Sequence, residues 1–397
     1  MQTYAQMKDS GVVWLGDIPA EWQQKRAKFL FYKSQHKPHV DDDVVTAFRD
    51  GEVVLRSQRR TDGFTFADKE IGYQHVEKGD LVIHAMDAFA GAIGVSKSDG
   101  KMSPVCSICK PLDSQVDTEY FSYLLRWMTK TNWLVAIAKG IRERSTDFRY
   151  SDFGNIVLPL PSIQVQKNIV SYINEETALI DDLIAKQQRL LALLEEKRRA
   201  TITHAVTDDR WPHEKIKYIT KKRDKKVESA NGLPYIGLEH VESFSGKRIA
   251  AEAQSEPEGL TLGYEAGDIL FGKLRPYLAK VLLTADSGVC SSEFIVLKAT
   301  DCLLPEFLKY SLLNEQFVEL VNSSTYGAKM PRANWDFIGN ANLALPPIDK
   351  QEQIVYRIKQ QEELTDKLRQ GIVKQIDLLK ERRTSLISNA VTGKIKV

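Results

Sequence analysis

The sequence has few cysteines and no long apolar run, and each shortage excludes a class of protein. Four cysteines in 397 residues are too few and too irregularly spaced for a disulfide framework. No apolar run reaches the length of a membrane span, and the first residues lack the basic and then apolar pattern of a signal peptide. A cytoplasmic location is therefore expected.

The net charge is small for a protein that binds nucleic acid without selectivity. It is +2, from 55 basic and 53 acidic side chains. Proteins that only coat nucleic acid usually carry a larger excess, because neutralising phosphates is the main source of non-specific affinity. If this chain binds DNA, its positive charge must be concentrated locally. The length predicts two or more domains.

Catalytic motifs are also missing. The sequence has no GxxxxGK[ST], GxGxxG, HExxH or GxSxG, and no Asn/Asp-Pro-Pro-aromatic tetrapeptide. Cys106-x-x-Cys109 has no second close cysteine pair, which favours buried core cysteines over a zinc site. His36 and His39 lie in a polar stretch, and the acidic run 41–43 resembles a solvated loop more than a nuclease metal site. We therefore predict a chain that is not an enzyme and binds no metal or cofactor itself.

A long internal repeat is the strongest feature that is present. Residues 158–207 align with residues 343–392 without a gap, with 19 identities in 50 positions, and both segments end in Ala-Val-Thr. Weaker matches at an offset of 188 extend into the flanking sequence, as in GDLVIHAM (79–86) and GDILFGKL (267–274). The chain is thus predicted to be a tandem duplication in which each half has a variable block and then a well-matched block.

The well-matched blocks have the pattern of long helices. Apolar residues recur at helical spacing, and no proline interrupts 164–207 or 349–392. Each helix could run for about 40 residues, or roughly 60 Å. A narrow apolar stripe on so long a helix requires a partner, which favours pairing of the two helices over packing of each on its own variable block. The residues assigned to these spacer helices and to partner docking are Gln166, Ile169, Ile173, Leu194, Gln351, Ile354, Ile358 and Leu379.

The variable blocks alternate short β-like runs with turns and then have one helical stretch, which is typical of α+β domains. Basic residues gather in their loops at matching places in the two copies. Arginine forks near glycine and aromatic residues suit contacts to phosphates and base edges. The candidate DNA-binding residues are Arg56, Arg59, Arg60, Lys139, Arg142, Arg144, Arg149, Lys221, Lys222, Arg223, Lys273, Arg275, Tyr277, Lys329 and Arg332.

Three segments together resemble the specificity subunit of type I restriction–modification systems. They are WLGDIPAEW near the start, LPLPSIQVQKNIV…LLEEKRRATITHAVT in the middle and LALPPIDKQEQIV…LLKERRTSLISNAVTGKI at the end. The first helix entry reads Leu-Pro-Ser-Ile-Gln-Val-Gln where the family usually has Leu-Pro-Pro-x-x-x-Gln, but its last glutamine is retained as Gln166, opposite Gln351.

The resemblance implies two α/β target-recognition domains, each reading half of a split and asymmetric DNA target, in a pseudo-twofold α+β fold. The two long helices would form an antiparallel coiled coil that sets the spacing between the half-sites. The implied boundaries are 1–157 and 208–342 for the recognition domains and 158–207 and 343–397 for the helices.

The resemblance also implies partner chains. Two methyltransferase subunits that modify adenine would dock on the helices, and a restriction and translocase subunit would join for cleavage. S-adenosylmethionine, ATP and magnesium are expected on those partners and not on this chain. The alternative is a coiled-coil scaffold that assembles enzyme subunits without binding DNA, which leaves unexplained why the variable blocks differ while the helices stay alike.

Overall fold

The computed structural model divides the chain into two units. The first comprises Met1–Ala185 and Ile376–Val397, and the second comprises Lys186–Gln375. The residues that the structure describes are 3–59, 71–131, 133–134, 148–227, 233–249, 260–325 and 330–397.

The globular part of the first unit is built on an antiparallel four-stranded sheet in the order β4-β11-β8-β9. Smaller ladders pair β1 with β2, β3 with β12, β5 with β6 and β7 with β10. Helix α1 (Thr118–Lys130) begins at Asp117, whose carboxylate caps it, and α2 (Tyr150–Phe153) follows. The strands are β1 Met7–Asp9, β2 Asp17–Pro19, β3 Gln23–Arg26, β4 Phe31–Ser34, β5 Val45–Ala47, β6 Val53–Leu55, β7 Gln74–Val76, β8 Leu81–His84, β9 Ile93–Val95, β10 Gly100–Met102, β11 Cys106–Pro111 and β12 Val157–Leu160.

The second unit repeats this framework after the helix α3 (Ile163–Val206). Its four-stranded sheet has the order β14-β21-β18-β19, a second sheet has the order β15-β17-β20-β16, and β13 pairs with β22. The elements are β13 His213–Lys215, α4 Ile216–Ile219, β14 Thr220–Arg223, β15 Lys226–Val227, β16 Tyr235–Ile236, β17 Thr261–Tyr264, β18 Ile269–Gly272, β19 Val281–Leu283, β20 Gly288–Ser291, β21 Phe294–Ala299, α5 Pro305–Leu313, α6 Glu315–Ser323, α7 Trp335–Asn340, β22 Asn342–Ala344 and α8 Ile348–Val391.

The duplication extends to the order of the strands. Strands β8, β9 and β11 of the first unit align in sequence with β18, β19 and β21 of the second at an offset of 188 residues. Each strand has the equivalent neighbours in its sheet. A short 3₁₀ turn joins β8 to β9 at Ala88–Ala90, and another joins β18 to β19 at Pro276–Leu278. The variable blocks therefore share a fold although little of their sequence matches.

The predicted long helices are present, each 44 residues long. In the first unit Arg382 lies 3.7 Å from Glu176 and Arg383 lies 3.2 Å from Asp181. In the second unit Arg198 of α3 lies 3.2 Å from Glu362 of α8. Early residues of one helix meet late residues of the other, so the pairing is antiparallel. Together with the two globular parts, this confirms the predicted fold class.

The helices also pack on the globular parts. Ile169 and Ile173 of α3 and Leu386 of α8 belong to the core of the first unit. Ile202 of α3 and Ile358 of α8 belong to the core of the second. The two alternatives considered for the helices, pairing with each other and packing on a variable block, therefore both occur. The predicted domain boundaries stay predictions.

A buried glutamine joins each long helix to the globular part of its unit. The Oε1 of Gln166 accepts a hydrogen bond from the backbone N–H of Asp117 (2.9 Å), and its Nε2 donates to the carbonyls of Gln115 (2.9 Å) and Pro161 (2.8 Å). The amide of Gln166 thus links the helix entry to the chain that leads into α1.

Gln351 repeats this arrangement in the second unit. Its Oε1 accepts from the backbone N–H of Leu304 (2.8 Å), and its Nε2 donates to the carbonyls of Cys302 (2.9 Å) and Pro346 (2.8 Å). Neither glutamine is accessible to solvent. This explains why the glutamine of the Pro-x-x-x-Gln entry is the same in both copies.

Candidate nucleic-acid interface

The loop between β18 and β19, residues 273–279, carries a basic and an aromatic candidate that are both exposed. Arg275 and Tyr277 are exposed on it. Neither side chain has a hydrogen bond or ion pair with another described residue. A guanidinium with unused donors next to an exposed aromatic ring is suited to phosphate or base contacts.

The chain near Arg332 lies against this loop. The backbone N–H of Arg275 donates to the carbonyl of Pro331 (2.8 Å), and that of Ala333 donates to the carbonyl of Lys273 (2.9 Å). Four candidates, Lys273, Arg275, Tyr277 and Arg332, are therefore brought together from two distant segments.

The side chain of Arg332 is paired with an acidic residue, Glu293. Its Nε and Nη2 donate to the two carboxylate oxygens of Glu293, at 3.1 and 3.0 Å. A bidentate pair of this kind fixes the plane of the guanidinium. Arg332 therefore lacks the unused donors of Arg275.

The basic run at 221–223 lies on the edge strand β14 and divides by role. Arg223 lies 2.8 Å from the buried carboxylate of Asp268 and also pairs with Glu265. The Nζ of Lys222 lies 2.8 Å from a carboxylate oxygen of Asp224, and Lys221 is exposed. Arg223 thus links β14 to the turn between β17 and β18. Lys221, which is exposed, is the most accessible cation of the three.

In the first unit, the candidates Arg56 and Arg59 have contacts within the chain. Arg59 pairs with Asp50 and Glu52, and its guanidinium lies 4.3 Å from the ring centroid of Phe48. The hydrogen bond from Arg59 lowers the pKa of Asp50, and the partial burial of that carboxyl opposes the shift. The Nε of Arg56 donates to Thr46 (3.3 Å).

The remaining first-unit candidate with a described position is Arg149. It is exposed at the start of α2, where its backbone N–H donates to the Asp152 carboxylate (3.2 Å). Other candidates lie outside the described residues: Arg60, Lys139, Arg142, Arg144 and Lys329.

The loop of the first unit that is equivalent to residues 273–279 in the repeat is not among the candidates predicted from the sequence. This loop, residues 85–91, carries exposed Met86, and Asp87 pairs with Arg49 at 2.9 Å. The backbone N–H of Phe148 donates to the carbonyl of Ala85 (3.0 Å), just as that of Ala333 does to Lys273. The signal was available, because extending the GDLVIHAM match by a few residues aligns the two loops.

The cysteine and acidic motifs occupy different environments from one another. Cys106 and Cys109 are buried on β11, and burial raises the pKa of both thiols, that of Cys106 to about 12.

Asp42 differs from the solvated run expected at 41–43, because its side chain is largely buried and lies 2.7 Å from Nδ1 of His75. Burial is the largest single influence and raises the pKa of Asp42, but the hydrogen bonds from His75 and from the backbone N–H of His39, together with the electrostatic effect of the two histidines, outweigh it, so the pKa is lowered.

The described residues contain neither a group of metal ligands nor a helix that could span a membrane. Between residues 3 and 397, apart from the gaps given above, no three histidine, cysteine or acidic side chains are grouped as a metal ion would require. In the same part of the chain, no helix combines the length and the apolar character needed to cross a membrane.

Comparison with known proteins finds similarity to one family of specificity subunits. Residues 206–378 match the model of the type I restriction modification DNA specificity domain. Outside that range, the similarity is to curated specificity subunits of type I restriction enzymes. The chain is 21% identical over 348 residues to the type I restriction enzyme EcoDI specificity subunit of Escherichia coli, covering 77% of this chain and 76% of that protein.

Solved structures agree with the specificity fold. A chain from a study of complex assembly and conformational transition in the type I R-M system matches with a TM-score of 0.72 at 15% identity, covering 94% of this chain and 98% of that one. The HsdS subunit from Thermoanaerobacter tengcongensis matches with a TM-score of 0.56 at 14% identity, covering 95% and 98%. The resemblance stated from the sequence motifs is therefore confirmed.

Proposed function

We propose that this specificity chain reads a split, asymmetric target on double-stranded DNA, one half-site with each globular block. The supporting observation is that one framework occurs twice with different side chains on equivalent loops. The loop 273–279 carries Arg275 and Tyr277, whereas its counterpart 85–91 carries Met86 and Asp87. A repeated framework with unlike contact surfaces suits two unlike half-sites, because base edges are distinguished by donor and acceptor patterns.

The paired helices would set the number of unread base pairs between the half-sites. They pair antiparallel in each unit and are tied to the globular parts through Gln166 and Gln351. Rigid attachment at each entry is what a spacer of fixed length requires, since half-site separation in paired DNA readers follows from protein geometry.

The helices would also dock two adenine methyltransferase subunits. Of the helix residues assigned to docking, Gln166, Ile169, Ile173, Gln351 and Ile358 are buried within this chain. We assign the contact surface to large apolar residues that the helices leave exposed, because such surface favours association. In the first unit these are Leu179, Leu183 and Leu378, and in the second they are Leu190, Leu193, Leu364, Leu368 and Val373.

Catalysis is assigned to partner chains. In this proposal S-adenosylmethionine is bound by the methyltransferase subunits, and ATP and magnesium are bound by a restriction and translocase subunit. The sequence contains neither the phosphate-binding loop GxxxxGK[ST] nor the dinucleotide motif GxGxxG, which supports this assignment.

Exchange of one variable block tests the proposal. Residues 22–157 are replaced by the corresponding block of a relative, and methylated sites are sequenced in cells that also express the methyltransferase partner. We expect one half-site to change while the other half-site and the spacing are retained. Changed spacing with both half-sites retained would contradict the assignment. Methylation without any sequence preference would instead favour a scaffold that does not read DNA.

A further inference from the structure

The second unit holds a cluster of unusual backbone conformations. Among the described residues, the non-glycine residues with positive φ are Phe244 (56°), Arg275 (51°) and Ala279 (45°). This region is unfavourable for residues with a Cβ atom, and such conformations persist where surrounding contacts hold them, often at functional sites. All three residues belong to one continuous set of contacts.

Two of them delimit the candidate DNA-reading loop. Arg275 precedes the 3₁₀ turn Pro276–Leu278 and Ala279 follows it. Within the turn, the backbone N–H of Leu278 donates to the carbonyl of Arg275 (2.9 Å) and that of Ala279 to the carbonyl of Pro276 (2.8 Å). Ala279 is buried. The exposed part of the loop therefore lies between two residues with positive φ, and backbone hydrogen bonds fix both of them.

Phe244 connects this loop to a neighbouring hairpin. Its backbone N–H donates to the carbonyl of Ala279 (3.2 Å). Phe244 lies at the tip of the hairpin in which the backbone N–H of Glu242 donates to the carbonyl of Lys247 (3.0 Å). A shift of the hairpin tip would thus move the end of the loop that carries Arg275.

The hairpin tip is held by both long helices. Arg198 of α3 donates to the carbonyl of Phe244, and the guanidinium of Arg199 lies 4.1 Å from the centroid of the Phe244 ring. From α8, Asp366 pairs with Lys247 at 2.5 Å. Helix α3 therefore contacts the backbone and the ring of Phe244, and helix α8 contacts the side chain of Lys247.

Arg198 is itself held from both helices. It pairs with Glu195 of α3 at 2.9 Å and with Glu362 of α8 at 3.2 Å, and Glu362 also accepts a hydrogen bond from the hydroxyl of Tyr310 (2.7 Å). The side chain of Arg198 is 11% exposed. A guanidinium with this many partners has little freedom, so the position of the hairpin tip is tied to the helix pair.

The first unit is built differently at the equivalent points. Gly91, with a φ of 98°, replaces Ala279 after its 3₁₀ turn. The carbonyl at the corresponding hairpin tip, that of Asp50, accepts a hydrogen bond from Arg126 of α1, in the same globular part. The hairpin tip of the first unit is thus bound by its own block, whereas that of the second unit is bound by a long helix.

We propose that Arg198 and Phe244 are positioning residues that set the conformation of the loop 273–279 and thereby the base selectivity of the second half-site. This inference rests on the proposed function and adds a structural link between the helix pair and one reading loop. Arg275 would contact the DNA, and Arg198 and Phe244 would act through it.

The test measures discrimination by the complete complex of this chain with its methyltransferase partners. The target is first identified by sequencing methylated sites. Methylation rates are then compared on the cognate duplex and on duplexes with one base substituted in either half-site. The ratio of these rates is insensitive to the amount of folded complex, so a general loss of stability does not change it.

Two variants interrupt the link in different ways. Arg198→Met removes the donor to the Phe244 carbonyl but leaves two carboxylates without their partner, which could impair folding. Phe244→Gly avoids this problem, because glycine readily adopts a φ of 56° and keeps both backbone hydrogen bonds of residue 244. It removes the ring, which lies beneath Arg199 and packs at the edge of the core of the second unit. Arg383→Met is the matched control, since Arg383 occupies the equivalent repeat position and pairs with Asp181 in the first unit.

We expect both variants to reduce discrimination at the second half-site by about tenfold and to leave the first half-site unchanged, as loss of one well-placed base contact does. Combining Phe244→Gly with Arg275→Ala should reduce discrimination no further than Arg275→Ala alone. The Arg383→Met control should keep the discrimination of the natural chain at the second half-site.

Equal loss on all duplexes, or discrimination like that of the natural chain in both Arg198→Met and Phe244→Gly, would overturn the inference. The exchange of residues 22–157 tests the proposed function separately. A half-site change in that exchange, with unaltered discrimination in these variants, would therefore reject the positioning role alone.

Discussion

At the scale of single residues, ion pairing within the chain separates cations that hold the fold from those available to DNA. In the sequence, Arg223, Arg275 and Arg332 are equivalent candidates. Arg223 and Arg332 have carboxylate partners, whereas Arg275 has none among the described residues. The sequence could not reveal this division, because Asp268 and Glu293 are far from their partners along the chain and meet them only through the sheet.

Arg275→Ala is expected to reduce discrimination at one position of the second half-site by about 1–3 kcal/mol, since a bidentate contact to a base edge is worth that much. Methylation rates on singly substituted duplexes measure it. Lys221→Ala is the matched control, because Lys221 is exposed on an edge strand and is expected to contact phosphate at most. Uniform loss on every duplex for Arg275→Ala would make it a phosphate contact.

Ala279→Gly is expected to raise the free energy of unfolding by about 0.5–1 kcal/mol. Glycine removes the cost of the left-handed conformation, and its greater freedom in the unfolded chain offsets part of that gain. The converse change, Gly91→Ala, should be destabilising, because a Cβ atom would lie 2.5 Å from the carbonyl oxygen of Arg49. Urea unfolding of the full chain measures both, and stabilisation by Gly91→Ala would contradict the structure.

The Asp50–Arg59 pair predicts a dependence of stability on acid pH. The pKa of Asp50 is lower in the folded chain than in the unfolded chain, so the unfolded state binds more protons as the pH falls. The stabilisation is complete above the ordinary aspartate pKa, about 3.9, and is lost as the pH falls through the folded value. Arg59→Met should weaken this dependence in unfolding measured from pH 6 to pH 3. An unchanged profile would mean that the pair contributes nothing.

At the scale of elements, the sequence predicted the long helices well and their attachment poorly. Proline stops, uninterrupted apolar spacing and the ungapped repeat were sufficient to place 44-residue helices within a few positions. The repeated glutamines were visible, but their role was not, because each bonds to backbone about 50 residues earlier. The contact of Arg198 with Phe244 was equally hidden, since it depends on the positive φ of a phenylalanine.

Replacing either buried glutamine by leucine is expected to lower the free energy of unfolding by about 3 kcal/mol or more. Leucine has a similar size but leaves one backbone N–H and two carbonyls without their partner, and each unsatisfied buried group costs about 1–3 kcal/mol. Gln164→Leu is the control, because Gln164 is exposed on the same turn of α3 and, among the described residues, its side chain bonds to Asn168 alone. Equal stability of Gln166→Leu and Gln164→Leu would show that the buried bonds are not important.

At the scale of the whole molecule, the duplication relates stability to specificity. Elements that match closely between the copies, the helices and their glutamine entries, carry the packing. Elements that match poorly, such as the loops 85–91 and 273–279, carry the exposed side chains. Divergence at exposed loops on a shared framework is what separate half-site readers require, since loop changes alter contacts while the fold remains.

The spacer role predicts that helix length sets the separation of the half-sites. Four residues inserted into each long helix, after Ala185 in α3 and after Gln375 in α8, add about one helical turn, or roughly 6 Å. We expect the unread gap to lengthen by about one to two base pairs, given a rise of about 3.4 Å per base pair, while both half-sites are retained. Sequencing methylated sites measures the gap. Insertion into one helix alone is the control for disruption of the pair, because it breaks the register of ion pairs such as Arg198–Glu362. An unchanged gap in the doubly lengthened chain would reject the helices as the determinant of spacing.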